Sequence, residues 1–230
     1  MIFDPMYMAF LLPGIVLALL ATFITQSTFR KYSKYGVSSG LSGAEAARRL
    51  LDSQGLTDVE IRETRGFLSD HYDPRTRTLN LSPDVYNGAS LSAIGVACHE
   101  AGHALQDAHA YVPLHLRTAL VPATQIGSNL YVPIFVLGFL FRMPGLITVA
   151  ILLLAMTVIF SLITLPVEWD ATARAKRLMV SSGIVTPAEG QHAAAVLNAA
   201  FMTYVASAVT AILTLLYYLF RAGFLGRRND

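Results

Sequence analysis

The sequence predicts a mainly α-helical membrane protein, with about four transmembrane helices and a small α+β domain between the first two. Three observations carry this reading. Of the 230 residues, 54% are hydrophobic and only 14% are charged, where an ordinary soluble domain has about a quarter charged. The apolar residues gather into four uncharged runs, each long enough to cross roughly 30 Å of hydrocarbon as a helix. One polar segment between the first two runs holds most of the charges and has globular patterning. The net charge of +2 is too small to argue for nucleic acid, and the basic residues form no patch interleaved with aromatics. Cys98 is the only cysteine, which excludes an intramolecular disulfide and reads as a small residue packed in a helix.

The first span is residues 7–25. Only Asp4 precedes it as a charge, and no small-residue cleavage site follows, so it reads as a retained anchor and not a secretory signal. Residues 119–141 and 146–167 are the second and third spans, joined by Arg142-Met143-Pro144-Gly145 as a tight turn. Residues 193–220, alanine-rich at their start, are the fourth. Residues 26–118 form the polar domain and 168–192 a second polar segment. Within the domain, Ser42 with Glu45 ahead of Ala46, Ala47, Leu50 and Leu51 is a capping box opening an amphipathic helix. Val59 and Ile61 alternate with charges as a half-buried strand would. Asp73-Pro74-Arg75-Thr76 is a turn, and Thr78-Leu79-Asn80-Leu81 alternates again, so residues 67–81 read as a hairpin. Arg30, Lys31, Lys34, Arg117, Arg174, Lys176 and Arg177 share one side of a four-span layout. Arg142, Arg221, Arg227 and Arg228 share the other, which makes the domain side cytoplasmic.

The chemistry is carried by His99-Glu100-Ala101-Gly102-His103, an H-E-x-x-H pattern. Four residues apart on a helix, the two histidines stand one above the other on one face and can converge on a single metal ion. Glu100 stands beside the first ligand, where it reaches a water at the metal and serves as general base. Residues 90–108 contain no proline and carry regularly spaced apolar residues, as a packed helix requires. Gly95 and Gly102 flank the histidine face and are expected to leave room for metal and substrate. The bland alternative, two buried histidines beside an incidental glutamate, is costly without a metal to organise them.

A catalytic zinc takes a third protein ligand, and two residues compete for the place. His109 has the spacing of the extended pattern H-E-x-x-H-x-x-G-x-x-H, but the turning glycine is replaced by Gln106. On a continuous helix His109 points roughly 120° off the face of His103. Glu168, in Leu165-Pro166-Val167-Glu168, is separated from His103 by two spans and so lies on the same side of the membrane. Its bland reading is an interface charge at a helix start.

Together with Gly66-Phe67-Leu68-Ser69-Asp70-His71-Tyr72-Asp73-Pro74-Arg75-Thr76 and Leu81-Ser82-Pro83-Asp84, the stretch from His99 to Gln106 and Leu165 to Glu168 resemble the neutral zinc metallopeptidases of bacterial membranes, the YugP-type family. The resemblance runs from about Lys31 to beyond Leu178. It implies Zn2+, residence in the bacterial inner membrane and peptidase activity, and it places the third ligand at Glu168. The chain also looks like the wider gluzincin plan, which implies a zincin-like domain with a substrate-binding edge strand ahead of the metal helix. On that plan Thr78–Leu81 would be the edge strand, pairing an extended peptide. Many gluzincins have an aspartate four residues after the ligand glutamate to orient a histidine, but here that position is Thr172, with Asp170 two residues after Glu168. His71, Tyr72, His192 and Arg174 are candidate oxyanion donors, each with a plainer reading as a turn or surface residue.

The expected function is therefore hydrolysis of peptide bonds in membrane or membrane-adjacent proteins, from the cytoplasmic side. Two rivals are a zinc hydrolase of amidase type acting on a small substrate and a catalytically silent membrane scaffold. A scaffold has no need of Glu100, and the strand pattern favours a peptide. Intramembrane proteolysis is disfavoured, because Ser90, Ser92 and Asp107 make the metal helix too short and polar to span.

Overall fold

The four uncharged runs lie on helices that extend beyond them, except that the helix of the second run stops at Leu140, one residue short of the run's end. The computed structural model describes residues 5–66 and 69–223. In chain order its elements are α1 (Pro5–Tyr32), α2 (Gly43–Ser53), β1 (Glu60–Glu63), β2 (His71–Asp73), β3 (Thr78–Leu81), α3 (Pro83–Tyr86), α4 (Leu91–Ala108), α5 (Val112–Leu140), α6 (Pro144–Ser181) and α7 (Pro187–Arg221). The helices α1, α5, α6 and α7 are long and apolar enough to cross a membrane. Asp4, Phe67, Leu68, Arg227 and Arg228, which entered the sequence argument, lie outside the described residues.

The third run ends in composition at Val167, but the helix does not. Pro166 sits inside α6, which continues to Ser181, so Glu168 stands within a helix and not at a helix start. Charge marks where an apolar run stops. It says nothing of where the backbone stops, and Trp169-Asp170-Ala171-Thr172-Ala173 contains neither glycine nor proline to break it.

The chain divides into two compact units. One comprises Met1–Ala21, Leu116–Leu165 and Thr203–Asp230. Its core is Phe135, Ala150, Ile151, Leu154, Tyr217 and Tyr218, with Tyr7 set edge-on to Tyr217 at 4.9 Å between ring centroids. Helices approach closely where glycine allows it: a Cβ on Gly14 would lie 2.9 Å from the Thr210 hydroxyl, and that hydroxyl donates to the Gly14 carbonyl.

The other unit comprises Thr22–His115 and Pro166–Met202 and holds every residue of the candidate site. Leu50, Leu51, Leu79, Leu81, Ile94, Leu105, Met179 and Ile184 are fully buried in its core. The predicted capping box is present: the Ser42 hydroxyl accepts from the Glu45 backbone N–H, while the Glu45 carboxylate accepts from that of Ser42 at 2.8 Å. A second capping box opens α7, where Glu189 accepts from the Thr186 backbone N–H at 2.8 Å and the Thr186 hydroxyl accepts from that of Glu189. Thr186-Pro187-Ala188-Glu189 carries this signature in the sequence.

The predicted hairpin is β2 and β3, antiparallel with Tyr72 opposite Leu79. The strand containing Ile61 is β1, which pairs parallel to β3. The sheet order is thus β1-β3-β2, and Thr78–Leu81 is the central strand, not the edge that the gluzincin plan suggested. Alternation reveals that a strand has a buried side, but not how many neighbours it has. Among the described residues the free edges belong to β1 and β2.

Candidate metal centre

Helix α4 starts at Ser90, whose side chain accepts from the Ala93 backbone N–H at 3.2 Å. It runs straight through Gln106 and turns only at Ala110, which adopts a left-handed φ of 50°. The Tyr111 N–H there returns to the Gln106 carbonyl, closing the helix end. The absence of a turn at Gln106 decides the fate of His109. Its Nδ1 lies 2.6 Å from the Leu105 carbonyl of its own helix, and it does not join the other histidines.

Helix α6 passes close to α4 because Gly102 has no side chain. A Cβ at that position would lie 2.6 Å from the Ala171 carbonyl oxygen. A Cβ on Gly95 would stand 3.5 Å from the Ala193 carbonyl oxygen of α7, an ordinary van der Waals contact. Gly102 therefore serves helix packing and does not open the space for substrate that the sequence had suggested, while the space at Gly95 is bounded by Ala193. Through the Gly102 contact, Glu168 on α6 is brought to the histidine face of α4.

His99, His103 and Glu168 form a group that could hold a metal ion, each offering one donor atom, with those atoms all within 4.8 Å of one another. The same Glu168 oxygen, Oε2, lies 3.1 Å from His99 Nε2 and 3.6 Å from His103 Nε2. The Glu168 side chain is 1% exposed. Burial works to raise its pKa, but the hydrogen bonds and charge of His103 and His99 outweigh burial and hold the carboxyl well below the usual carboxylate range. Two imidazoles and one ionised carboxylate form a donor set that fits zinc with a fourth position left for water or substrate.

The outward-facing ring nitrogens are also engaged, as in metal-ligating histidines generally. His99 Nδ1 meets the Thr172 hydroxyl at 3.2 Å, and His103 Nδ1 meets Gln106 Oε1 at 3.0 Å. The position four after Glu168 does support a histidine here, as a threonine. Asp170 acts one step further back, accepting from Gln106 Nε2 at 2.9 Å and from Arg174 Nε at 2.6 Å. The sequence offered Gln106 only as a missing glycine. Nothing in its spacing announces a partner on a helix more than sixty residues away.

Glu100 is buried at 9% exposure, and its carboxylate has no hydrogen-bond or ion-pair partner among the described residues. Cys98, beside the pair, is buried and has its thiol pushed up to about 12 by that burial, which favours the protonated form. The oxyanion candidates have local partners. His71 Nδ1 lies 2.8 Å from the Ser69 carbonyl, and His192 stacks on Tyr32 with 5.3 Å between ring centroids. Tyr72 donates to Asp107 Oδ2 at 2.8 Å, fastening β2 to α4, while burial and Asp107 raise its pKa and keep the hydroxyl protonated. Arg174 serves Asp170.

Comparison with known proteins places these features in context. A family model described as "Putative neutral zinc metallopeptidase" matches residues 7–223. The chain is 46% identical over 198 residues to the protein named "Putative membrane protease YugP" of Bacillus subtilis (strain 168), covering 86% of this chain and 88% of that one. No solved structure matches the chain.

Proposed function

The chain belongs to the putative neutral zinc metallopeptidase family, and from that premise we propose that it is a membrane-embedded zinc endopeptidase with His99, His103 and Glu168 as ligands and Glu100 as general base. The observation that carries the reading is the convergence of three donor atoms from two helices in a buried setting. Held by His99, His103 and Glu168, zinc would supply a Lewis acid that lowers the pKa of a water towards neutrality. Glu100, adjacent to His99 and without a partner among the described residues, would accept a proton from the attacking water and deliver it to the leaving amine nitrogen of the cleaved peptide bond.

The gluzincin reading of the domain is kept with one change, the substrate edge. We assign peptide pairing to β2, a free edge that Tyr72 fastens to the metal helix. The membrane layout is supported by the exposed apolar side chains of the long helices, among them Leu19 at 65%, Phe23 at 70%, Leu140 at 68% and Leu152 at 60%, which lipid would cover. In this layout residues 7–25, 119–141, 146–167 and 193–220 span the inner membrane. Residues 26–118 and 168–192 lie on the cytoplasmic side, where they meet membrane or membrane-adjacent protein substrates.

The deciding experiment pairs zinc analysis with hydrolysis of an unfolded protein substrate. Purified protein should contain one zinc and cleave the substrate, and Glu100→Gln should keep the zinc and lose cleavage. Full activity in Glu100→Gln would sink the mechanism.

A further inference from the structure

Gln106 is wholly buried, and all its side-chain polar contacts fall on the candidate site. Its Nε2 donates to the Val167 carbonyl at 2.8 Å and to Asp170 Oδ2 at 2.9 Å. Those two contacts use both amide hydrogens and settle which way the amide faces. Turned over, the amide would set its oxygen against a carbonyl and a carboxylate, two acceptors facing one. The oxygen must therefore point at His103 Nδ1, 3.0 Å away. An amide oxygen only accepts, so Nδ1 must carry a hydrogen, and Nε2, the atom turned towards Glu168, is the nitrogen that can give up its proton and offer a lone pair to a metal. Asp170 is in turn held by Arg174, so the chain of orientation is anchored beyond the site.

His99 has no equivalent device. Its Nδ1 meets the Thr172 hydroxyl, which can donate or accept and so imposes no tautomer. Gln106 also reaches the residues on either side of Glu168, Val167 and Asp170, from the helix that bears the two histidines.

We propose that Gln106 is a positioning residue that locks His103 as the Nδ1-protonated tautomer and fixes Glu168 opposite it, so that His103 binds the metal through Nε2. The proposal rests on the metal-site reading above. It predicts that one buried amide, outside the ligand set, governs metal affinity.

The test uses the full chain in detergent, with two readouts. In zinc-loaded wild type labelled with 15N-histidine, His103, identified by loss of its signals in His103→Ala, should show a protonated Nδ1 and a metal-bound Nε2. The Gln106→Met variant keeps the side-chain volume and removes both ends of the amide. Its metal-free thermal midpoint should stay near wild type, and its zinc affinity by chelator competition should fall about 10- to 100-fold, the usual cost of losing a partner to a ligand histidine. Metal bound through His103 Nδ1, or a folded Gln106→Met with wild-type zinc affinity, overturns the proposal. A wild-type chain that takes up no zinc overturns the metal-site reading itself, and this inference with it.

Discussion

At Gly102 the space for a side chain is already taken by the Ala171 carbonyl oxygen. Backbone cannot swing aside as a side-chain tip can, so we predict that Gly102→Ala pushes α4 and α6 apart. The expected cost is about 1–3 kcal/mol of stability, with weakened zinc binding, since the histidines and Glu168 sit on opposite sides of that contact. Metal-free thermal unfolding and zinc titration measure the two effects, and an unchanged protein in both would refute the account. The competition for third ligand is also decided by single residues. We predict that Glu168→Ala loses zinc by more than the roughly 10–100-fold that loss of a hydrogen-bond partner costs. His109→Ala should retain it, because His109 Nδ1 is engaged by the Leu105 carbonyl and the Arg174 guanidinium. A zinc-free His109→Ala beside a zinc-loaded Glu168→Ala would reverse the assignment. At this scale the histidine pair was legible because both residues share one helix, where spacing alone fixes their face. Gln106 and Thr172 were not legible as supports, because each needs the crossing of α4 and α6, which no local pattern encodes.

Among the elements, α7 has a start that should respond to acid. The backbone N–H of Thr186 is the largest influence holding the Glu189 carboxyl down, to about 2, with the Ser38 N–H and both hydroxyls adding to it. A carboxyl depressed from an ordinary 4.5 stabilises the fold fully above that value and loses its contribution as pH falls towards 2. We therefore predict that Glu189→Gln flattens the decline in thermal midpoint between pH 4.5 and 2. We also predict that Glu189→Ala costs about 1 kcal/mol near neutral pH, the size of a lost helix cap. Parallel acid profiles for wild type and Glu189→Gln would dismiss the first claim. The elements themselves were largely visible in advance: the Ser42 capping box, the hairpin and the four long helices all follow from local chemistry. The order of strands was not visible, because β1 joins β3 in parallel across the whole β2 hairpin. Pairing of that kind depends on the fold and not on any pattern within a strand.

For the whole molecule, the four-span layout predicts that tags placed near Gly55 and near Gly183 report the same compartment, while a tag after Asp230 reports the opposite one. A common compartment for all three would break it. The four long apolar helices were the most legible feature, since they need only composition and run length. The placing of Glu168 was less so, because helix α6 carries its apolar run and this candidate ligand in one unbroken stretch. One further consequence comes from β2, which offers only three residues, His71–Asp73, as a free edge. At about 3.3 Å per residue, so short an edge grips only some 10 Å of extended chain, too little for a long recognition sequence to be read. If the edge works as we assign it, confinement has to replace grip: a substrate held in the same bilayer meets the site at a high effective concentration that a free peptide never reaches. The same cleavage sequence should accordingly be hydrolysed much faster when tethered to a membrane anchor in shared proteoliposomes than when dissolved. Equal rates would show that selection lies in the sequence after all.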